Sequence, residues 1–387
     1  MSRSHSWQEA IAGATVGDHS VFVWQEIVGP EQQRRVFLQR TGEDGVPLHG
    51  RGIAVSPGPN DQTQPAIGGR LLAWVEQHPD FPEHTYVYAR RLDADGVPLT
   101  GDPIGIGAAA PGSRIAIAEG RDQQLVVWES PSGQVVGSRR AMDGSALDPL
   151  PIVISTPTSG DWAPSVASDG ENYVVVWNRE EEDPFPCWIT CPPESHASLH
   201  ATLVTRGGAV ASPVPLSATR VQPSYPFIVS NRSGYVVFWS GSDPDPGRRR
   251  PIVEARFLDP SANPTGAPVV VADAEFVNGA AWNGRGYDLT LISLLFEDLE
   301  LIRLGEDLRP VDQTLLAYGY GGETALWHAP RSVGPGRWTA ALLPGTEGAT
   351  FAAYRQRDGN GISRVMGRLV EEGSAHQATP RRRAAGR

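Results

Sequence analysis

The sequence predicts an all-β chain, a seven-bladed β-propeller of four-stranded antiparallel blades, and three observations carry that prediction. A short apolar strand, a Gly-containing turn and a stronger strand ending in Trp recur along the 387 residues. Turn formers are abundant, 43 Gly and 34 Pro, as in proteins built of many short strands. The interval between copies is close to constant, the mark of a repeat architecture.

The clearest copy runs from Pro164 through the turn Asp169-Gly170-Glu171-Asn172 to Tyr173-Val-Val-Val-Trp177. Others end at Trp24, Trp74, Trp128 and Trp239, and weaker ones at Leu291 and Leu342. These anchors are spaced 50, 54, 49, 62, 52 and 51, a mean of 53 that fills 371 residues in seven copies. A third strand follows each anchor and ends in an Asp-Gly type turn, as in Tyr86 to Gly96, and a fourth reads like Asp148 to Ser155. Four short antiparallel strands cannot bury both faces alone, so blades stack radially and the Trp fills the space between sheets. Residues 350–354 and 362–370 offer a second register for the last copy, with the N-terminus as donor of its missing strand; the evenly spaced register is preferred. Residues 1–371 are thus expected to form a single propeller domain and 372–387, with Pro380-Arg-Arg-Arg383, a disordered basic tail.

Composition excludes several classes. No apolar run approaches the roughly 18 residues of a membrane-spanning helix. The net charge of −11 disfavours nucleic acid, whose phosphates demand a basic face, and suits a soluble monomer. All 33 basic residues are Arg, which removes Schiff-base, P-loop and kinase lysines. The 2 Cys cannot build a disulfide-dense scaffold. Met1 to Trp7 has no apolar core or cleavage site, so no signal peptide is read there. There is no Gly-x-Ser-x-Gly elbow, His-Glu-x-x-His pair, calcium loop or dinucleotide fingerprint.

The copies around Trp74, Trp128, Trp177 and Trp239 resemble the propeller repeats of many uncharacterised, mostly secreted bacterial proteins, over residues 8–370. No Trp-Asp ends the strands and no Ser-x-Asp-x-Gly-x-Thr-Trp box is present, so the resemblance implies a fold and carries no catalytic residues. It favours a secreted or periplasmic location.

Loops joining strands two and three share one end of a propeller with the connections between blades. Residues 26–34, 76–84, 179–196 and 240–250 read as long loops at that end, whereas most one-to-two turns are tight. Extra length on one face of a rigid scaffold points to function. Asn60, Asp61, His78, Asp80, Glu83, His84, Asp161, Trp162, Trp188, Arg220 and Tyr225 are the candidate ligand-binding residues there. Acids, His and aromatics suit a glycan stacked on rings, or a peptide loop. Cys187 and Cys191 with His196 and His200 allow a small disulfide loop, free thiols or a metal. His196 and His200, if in one strand, lie too far apart to share an ion, so the disulfide is preferred and no metal or cofactor is expected. The expected function is a recognition module for a carbohydrate or a protein on the long-loop face. The alternative is a propeller lyase or glycoside hydrolase in which His78, His84 or His328 meets an acid in the channel.

Overall fold

The computed structural model describes residues 8–371 apart from 43–44, 79, 156–159, 182–195, 218–223, 232, 243–250, 274–275, 293–297, 318–339, 345–348 and 358–362. Seven antiparallel blades stand in a ring. Blade 1 is β1 (Gln8–Val16), β2 (His19–Val28), β3 (Gln33–Thr41) and β4 (Ile53–Ala54). Blade 2 is β5 (Asp61–Gly68) to β8 (Ile104–Ala108), with β6 (Leu71–His78) and β7 (Phe81–Arg91) between them. Blade 3 runs from β9 (Ile115–Glu119) through β10 (Gln123–Glu129) and β11 (Val135–Ala141) to β12 (Ile152–Val153). Blade 4 comprises β13 (Asp161–Ser168), β14 (Tyr173–Glu181), β15 (His196–Val204) and β16 (Val214–Pro215). Blade 5 comprises β17 (Ser224–Ser230), β18 (Tyr235–Ser242), β19 (Pro251–Leu258) and β20 (Pro264–Ala272). Blade 6 holds β21 (Phe276–Trp282), β22 (Gly286–Ile292), β23 (Leu299–Gly305) and β24 (Pro310–Ala317). The described residues of blade 7 form β25 (Ala341–Pro344), β26 (Thr350–Arg357) and β27 (Ser363–Val370).

The first strands touch in sequence, β1 with β5, β5 with β9, onward to β21 with β25, and β25 returns to β1. They therefore wall a central channel. The second strands are buried on both faces, which is why they read as unbroken apolar runs such as Leu71-Leu-Ala-Trp74 rather than as an alternation.

Each seam between blades is one apolar cluster, and the anchor of the later blade faces the earlier one. Trp74 packs on Val21, Val23 and Leu38 of blade 1, and Trp128 on Val75 and Ala89 of blade 2. Trp177 packs on Leu125 and Val127 of blade 3, and Trp239 on Val176 and Leu199 of blade 4. A fully buried Trp removes about 150–250 Å2 from water, roughly 4–6 kcal/mol of gross transfer free energy at about 25 cal/mol per Å2. In three blades the residue opposite the anchor is a flat ring: Phe37 at 6.1 Å from Trp24, Tyr88 at 6.4 Å from Trp74, His200 at 6.0 Å from Trp177. These are cross-strand pairs on one face of the pleat.

Hydrogen bonds pin the same seams away from the channel mouth. The Tyr173 hydroxyl donates to the Gln123 carbonyl at 2.9 Å, and Asn231 Nδ2 donates to the Tyr287 hydroxyl at 2.9 Å. Burial pushes both phenols up to about 12. Between blades 6 and 7 the buried Asp288 sits 3.5 Å from Arg303 and accepts a hydrogen bond from Thr350. Arg303 also donates to the carbonyls of Val370 and Glu371, which ties down the end of the last strand. In blade 2, Gly96 closes the Asp-Gly turn at φ 78, and a Cβ there would lie 2.7 Å from Val21 of blade 1.

Two sequence expectations are corrected. The last blade follows the second register, not the evenly spaced one: β26 is its second strand, and Tyr354 holds the anchor place in the seam with blade 6. Even spacing misleads because the chain between Leu291 and Tyr354 is longer than in any other copy. The N-terminal strand β1 pairs with β2 inside blade 1 rather than joining blade 7. The ring therefore closes through side-chain packing of blade 1 on blade 7: Ile11, Phe22 and Trp24 against Ala341, Phe351 and Val365. Phe22 and Phe351 lie 4.9 Å apart, and a Cβ on Gly13 would come within 3.0 Å of Phe22 and 3.1 Å of Ala341. The second correction concerns residues 26–34 and 76–84. They are strand extensions, with Val28 paired to Gln33 and Gln77 to Thr85, so blades 1 and 2 raise hairpins above the ring instead of loops.

Phe22→Ala is expected to destabilise the fold by about 3–5 kcal/mol, since it opens a cavity in the closing seam. Denaturant unfolding of the two proteins measures this; a change below about 1 kcal/mol shows that the seam does not close the ring.

Candidate functional site

The end of the channel nearest the raised hairpins is where each first strand begins, because Asp61 pairs with Gln77 and Asp161 with Arg179. Five of the first strands carry an irregularity close to their starts, at Glu9/Ile11, Thr63/Ala66, Trp162/Ser165, Ser224/Phe227 and Val277/Gly279. In three of them a residue other than Gly is left-handed: Ala10 at φ 49, Gln64 at φ 52 and Ala163 at φ 54. Such a residue costs about 1–2 kcal/mol, so the neighbouring structure must hold it.

What holds it is the side chain that follows the anchor Trp of the preceding blade. Gln25 Oε1 accepts from Gln64 N at 3.1 Å, and Glu129 Oε1 accepts from Ala163 N at 2.7 Å. Ser240 Oγ accepts from Val277 N at 2.8 Å at the seam of blades 5 and 6. Asn178 occupies this place at the seam of blades 4 and 5. It is fully buried, and neither amide atom has a hydrogen-bond partner among the described residues.

Blade 3 departs from the pattern. Arg114 stands immediately ahead of β9, and its guanidinium lies 5.0 Å over the ring of Phe227, reaching past blade 4 to blade 5. Beside it the channel wall opens into a cavity of about 170 Å3 lined by Ile11, Ala12, Gln64, Pro65, Arg114 and Ala116 among others. All other side chains lining it are uncharged. Burial pushes the Glu129 carboxyl from 4.5 up to about 7, against the pull of the Ala163 and Arg114 amides and of the Arg114 charge.

The residues singled out from the sequence are distributed as follows. Asp61 accepts from the Arg34 backbone at 3.0 Å and pairs with its guanidinium at 3.2 Å, across the seam of blades 1 and 2. Asp161 is buried and pairs with Arg179 of its own blade at 2.9 Å. Asn60 donates to Glu76 Oε1 at 2.8 Å, the carboxylate whose other oxygen takes the Trp74 indole at 3.1 Å. Trp162 is half-buried in β13. Tyr225 lies in β17, fourteen residues ahead of Trp239, as Arg114 is ahead of Trp128 and Ala163 ahead of Trp177. His78 and His84 flank Phe81 on the blade 2 hairpin, with ring centroids 5.0 and 5.6 Å from it, and His78 Nδ1 accepts from the Asp80 amide at 3.2 Å. His200 stacks on Trp177 and shares a 2.8 Å hydrogen bond with Ser198. Cys187, Trp188, Cys191, Arg220 and His328 lie outside the described residues. The structure thus gathers His78 and His84 on one hairpin, and sets Asp61 and Asp161 into ion pairs within the ring. Gln64, Arg114, Glu129 and Phe227 escaped the sequence reading. The fixed offset from the Trp was the available signal for Arg114, the one charged residue at that offset among the Trp-bearing copies that share it.

No protein-family model matches the chain, and no curated protein matches it. Solved structures do. The β-propeller domain of the Trilobed protease from Pyrococcus furiosus is similar with a TM-score of 0.52 at 10% identity, over 94% of this chain and 95% of that one. A puromycin-hydrolyzing peptidase of Mycobacterium tuberculosis is similar with a TM-score of 0.52 at 14% identity, over 94% of this chain. The match covers 52% of that peptidase, so this chain spans about half its length. At these identities the likeness shows the fold, and no residue correspondence is carried over. The expectation of a carbohydrate- or protein-recognition module on the long-loop face, with a lyase or glycoside hydrolase as alternative, is corrected by these structures, which are propellers of peptidases. Among the described residues, no helix is long and apolar enough to cross a membrane.

The raised carboxyl gives a pH signature. A proton held up to about 7 in the fold and 4.5 when unfolded favours the folded state fully below pH 4.5. That contribution falls as pH rises and is gone above about pH 7. Glu129→Gln, which keeps an acceptor for Ala163, is expected to flatten the stability profile over that interval and to be the more stable protein at pH 8. Urea unfolding at pH 4.5, 6 and 8 measures both.

Proposed function

We propose that this propeller serves peptide processing: its channel receives a narrow, extended peptide segment on behalf of a peptidase, as a non-hydrolytic ring. The observation that carries the reading is the cavity in the channel wall, about 170 Å3 and lined by uncharged side chains together with Arg114. That is below the roughly 300–1,000 Å3 of sites that enclose drug-sized ligands, and it suits one or two residues of a chain entering end-on. The similarity to peptidase propellers supports the same reading, as does the ring of irregular first strands, since such irregularities gather next to functional sites.

The test is fluorescence anisotropy of short labelled peptides with the full chain. Peptides are expected to bind without being cut, and Ala116→Trp, which fills the cavity, is expected to abolish binding while circular dichroism and melting stay close to the parent. Absence of binding by the parent, or binding indifferent to the Trp, overturns the proposal.

A further inference from the structure

We infer that the outer groove between blades 5 and 6 is a docking site for the chain's own basic segment, residues 372–387, which lies outside the described residues. The inference is independent of the peptide reading, since this groove is built on the rim strands and not on the channel wall. A fourth strand forms the outer edge of each of blades 1 to 6, and a short edge guards against pairing with another chain. β4, β12 and β16 are two residues long and β8 is five. β20 and β24 are nine and eight residues long, and Val269, Val270 and Val311 stand exposed on them. Between these two blades an open groove of about 570 Å3 is lined by Val271, Ile302 and Val311 together with Asp273, Glu300 and Asp312, among others.

Charge, position and length select the occupant. The charged residues that line the groove are all acids. Glu300 accepts from a neutral amide, Gln313 Nε2 at 2.6 Å, a bond that leaves its charge in place. Arg303, the cation next to Ile302 in β23, is turned to the other face of the sheet. There it lies 3.5 Å from Asp288 and 3.8 Å from Asp312, and donates to the carbonyls of Val370 and Glu371 at 2.6 and 2.8 Å. The last described residue is therefore held against blade 6, across β24 from the groove. Residues 372–387 then supply four Arg against one acid, Glu372. Arg381, Arg382 and Arg383 begin ten residues beyond Glu371, an extended reach of about 33 Å. That exceeds the roughly 10 Å between packed sheet faces, so their guanidinium groups can pass round the edge of β24 to Glu300 and Asp273. Guanidinium and carboxylate pair through charge-assisted hydrogen bonds, and Val311 offers apolar surface to the arginine stems.

The experiment uses the full chain and a fluorescent peptide of residues 372–387, read by anisotropy at low salt. In the parent protein the tethered segment holds the groove at a high effective concentration and excludes the peptide. Replacing three arginines in cis, Arg381→Glu with Arg382→Glu and Arg383→Glu, is expected to free the groove and tighten peptide binding at least about 10-fold. Val311→Arg on that background places a cation in the groove at a position 71% exposed, and is expected to return binding to the parent level with an unchanged melting temperature. Raising the salt to about 0.5 M is expected to weaken the peptide likewise, because exposed charges are then screened. Equal binding by the parent and the arginine-replaced protein shows that the segment leaves the groove to a partner chain, which overturns the inference. No binding by the arginine-replaced protein, or binding that Val311→Arg leaves unchanged, overturns it as well. None of these outcomes bears on the channel, which is tested separately by Ala116→Trp.

Discussion

Everything in this molecule depends on the face-to-face packing of each second strand on the blade before it. A four-stranded blade has two apolar faces and no means of covering either by itself. Placing the anchor of one blade, Trp in four seams and Leu291 or Tyr354 in the other two, on the apolar side chains of its predecessor covers a face of both, and six such contacts leave two faces uncovered at the ends of the series. Bringing those ends together, Phe22 onto Phe351, converts an open stack into a ring. The channel is a consequence of that closure, since seven first strands then face a common axis.

The polar groups follow from the same packing. Tight seams strip water from the ends of the second strands, so most polar side chains there find a partner. Tyr173 and Tyr287 do so at one end of the blades. At the other end Gln25, Glu129 and Ser240 reach the irregular first strand of the following blade. The left-handed Gln64 and Ala163 are tolerated because a neighbouring blade supplies the acceptor. One residue thus links seam, channel wall and electrostatics: Glu129 follows a buried Trp, holds the strand of the next blade, and carries a proton that burial has made hard to remove.

Conformation at the mouth and chemistry at the mouth are therefore hard to separate. Arg114 lies beside Glu129, whose carboxyl feels its charge, and its guanidinium lies over the ring of Phe227 two blades away. Asn178, whose amide atoms have no partner among the described residues, marks the seam of blades 4 and 5 as a place where polar capacity exceeds what those residues use. Asp61 and Asp161 differ from these, because their carboxylates are matched by Arg34 and Arg179.

The sequence by itself determined the number of blades and, in blades 1 to 6, the second strands with their anchors at the seams. Those are local or periodic properties: a buried strand shows as an apolar run, a turn as Gly or Asp-Gly, and a repeat as a regular spacing of Trp. Tertiary structure decided which copy of the last repeat forms a blade, because Tyr354 takes the anchor place by its packing on blade 6 and not by its spacing. It also decided that Asp61 and Asp161 meet arginines, and that Arg114 reaches Phe227 more than a hundred residues further along the chain. Contacts of that kind are set by the angle between blades, and no pattern within one repeat encodes the position of a side chain from the next but one.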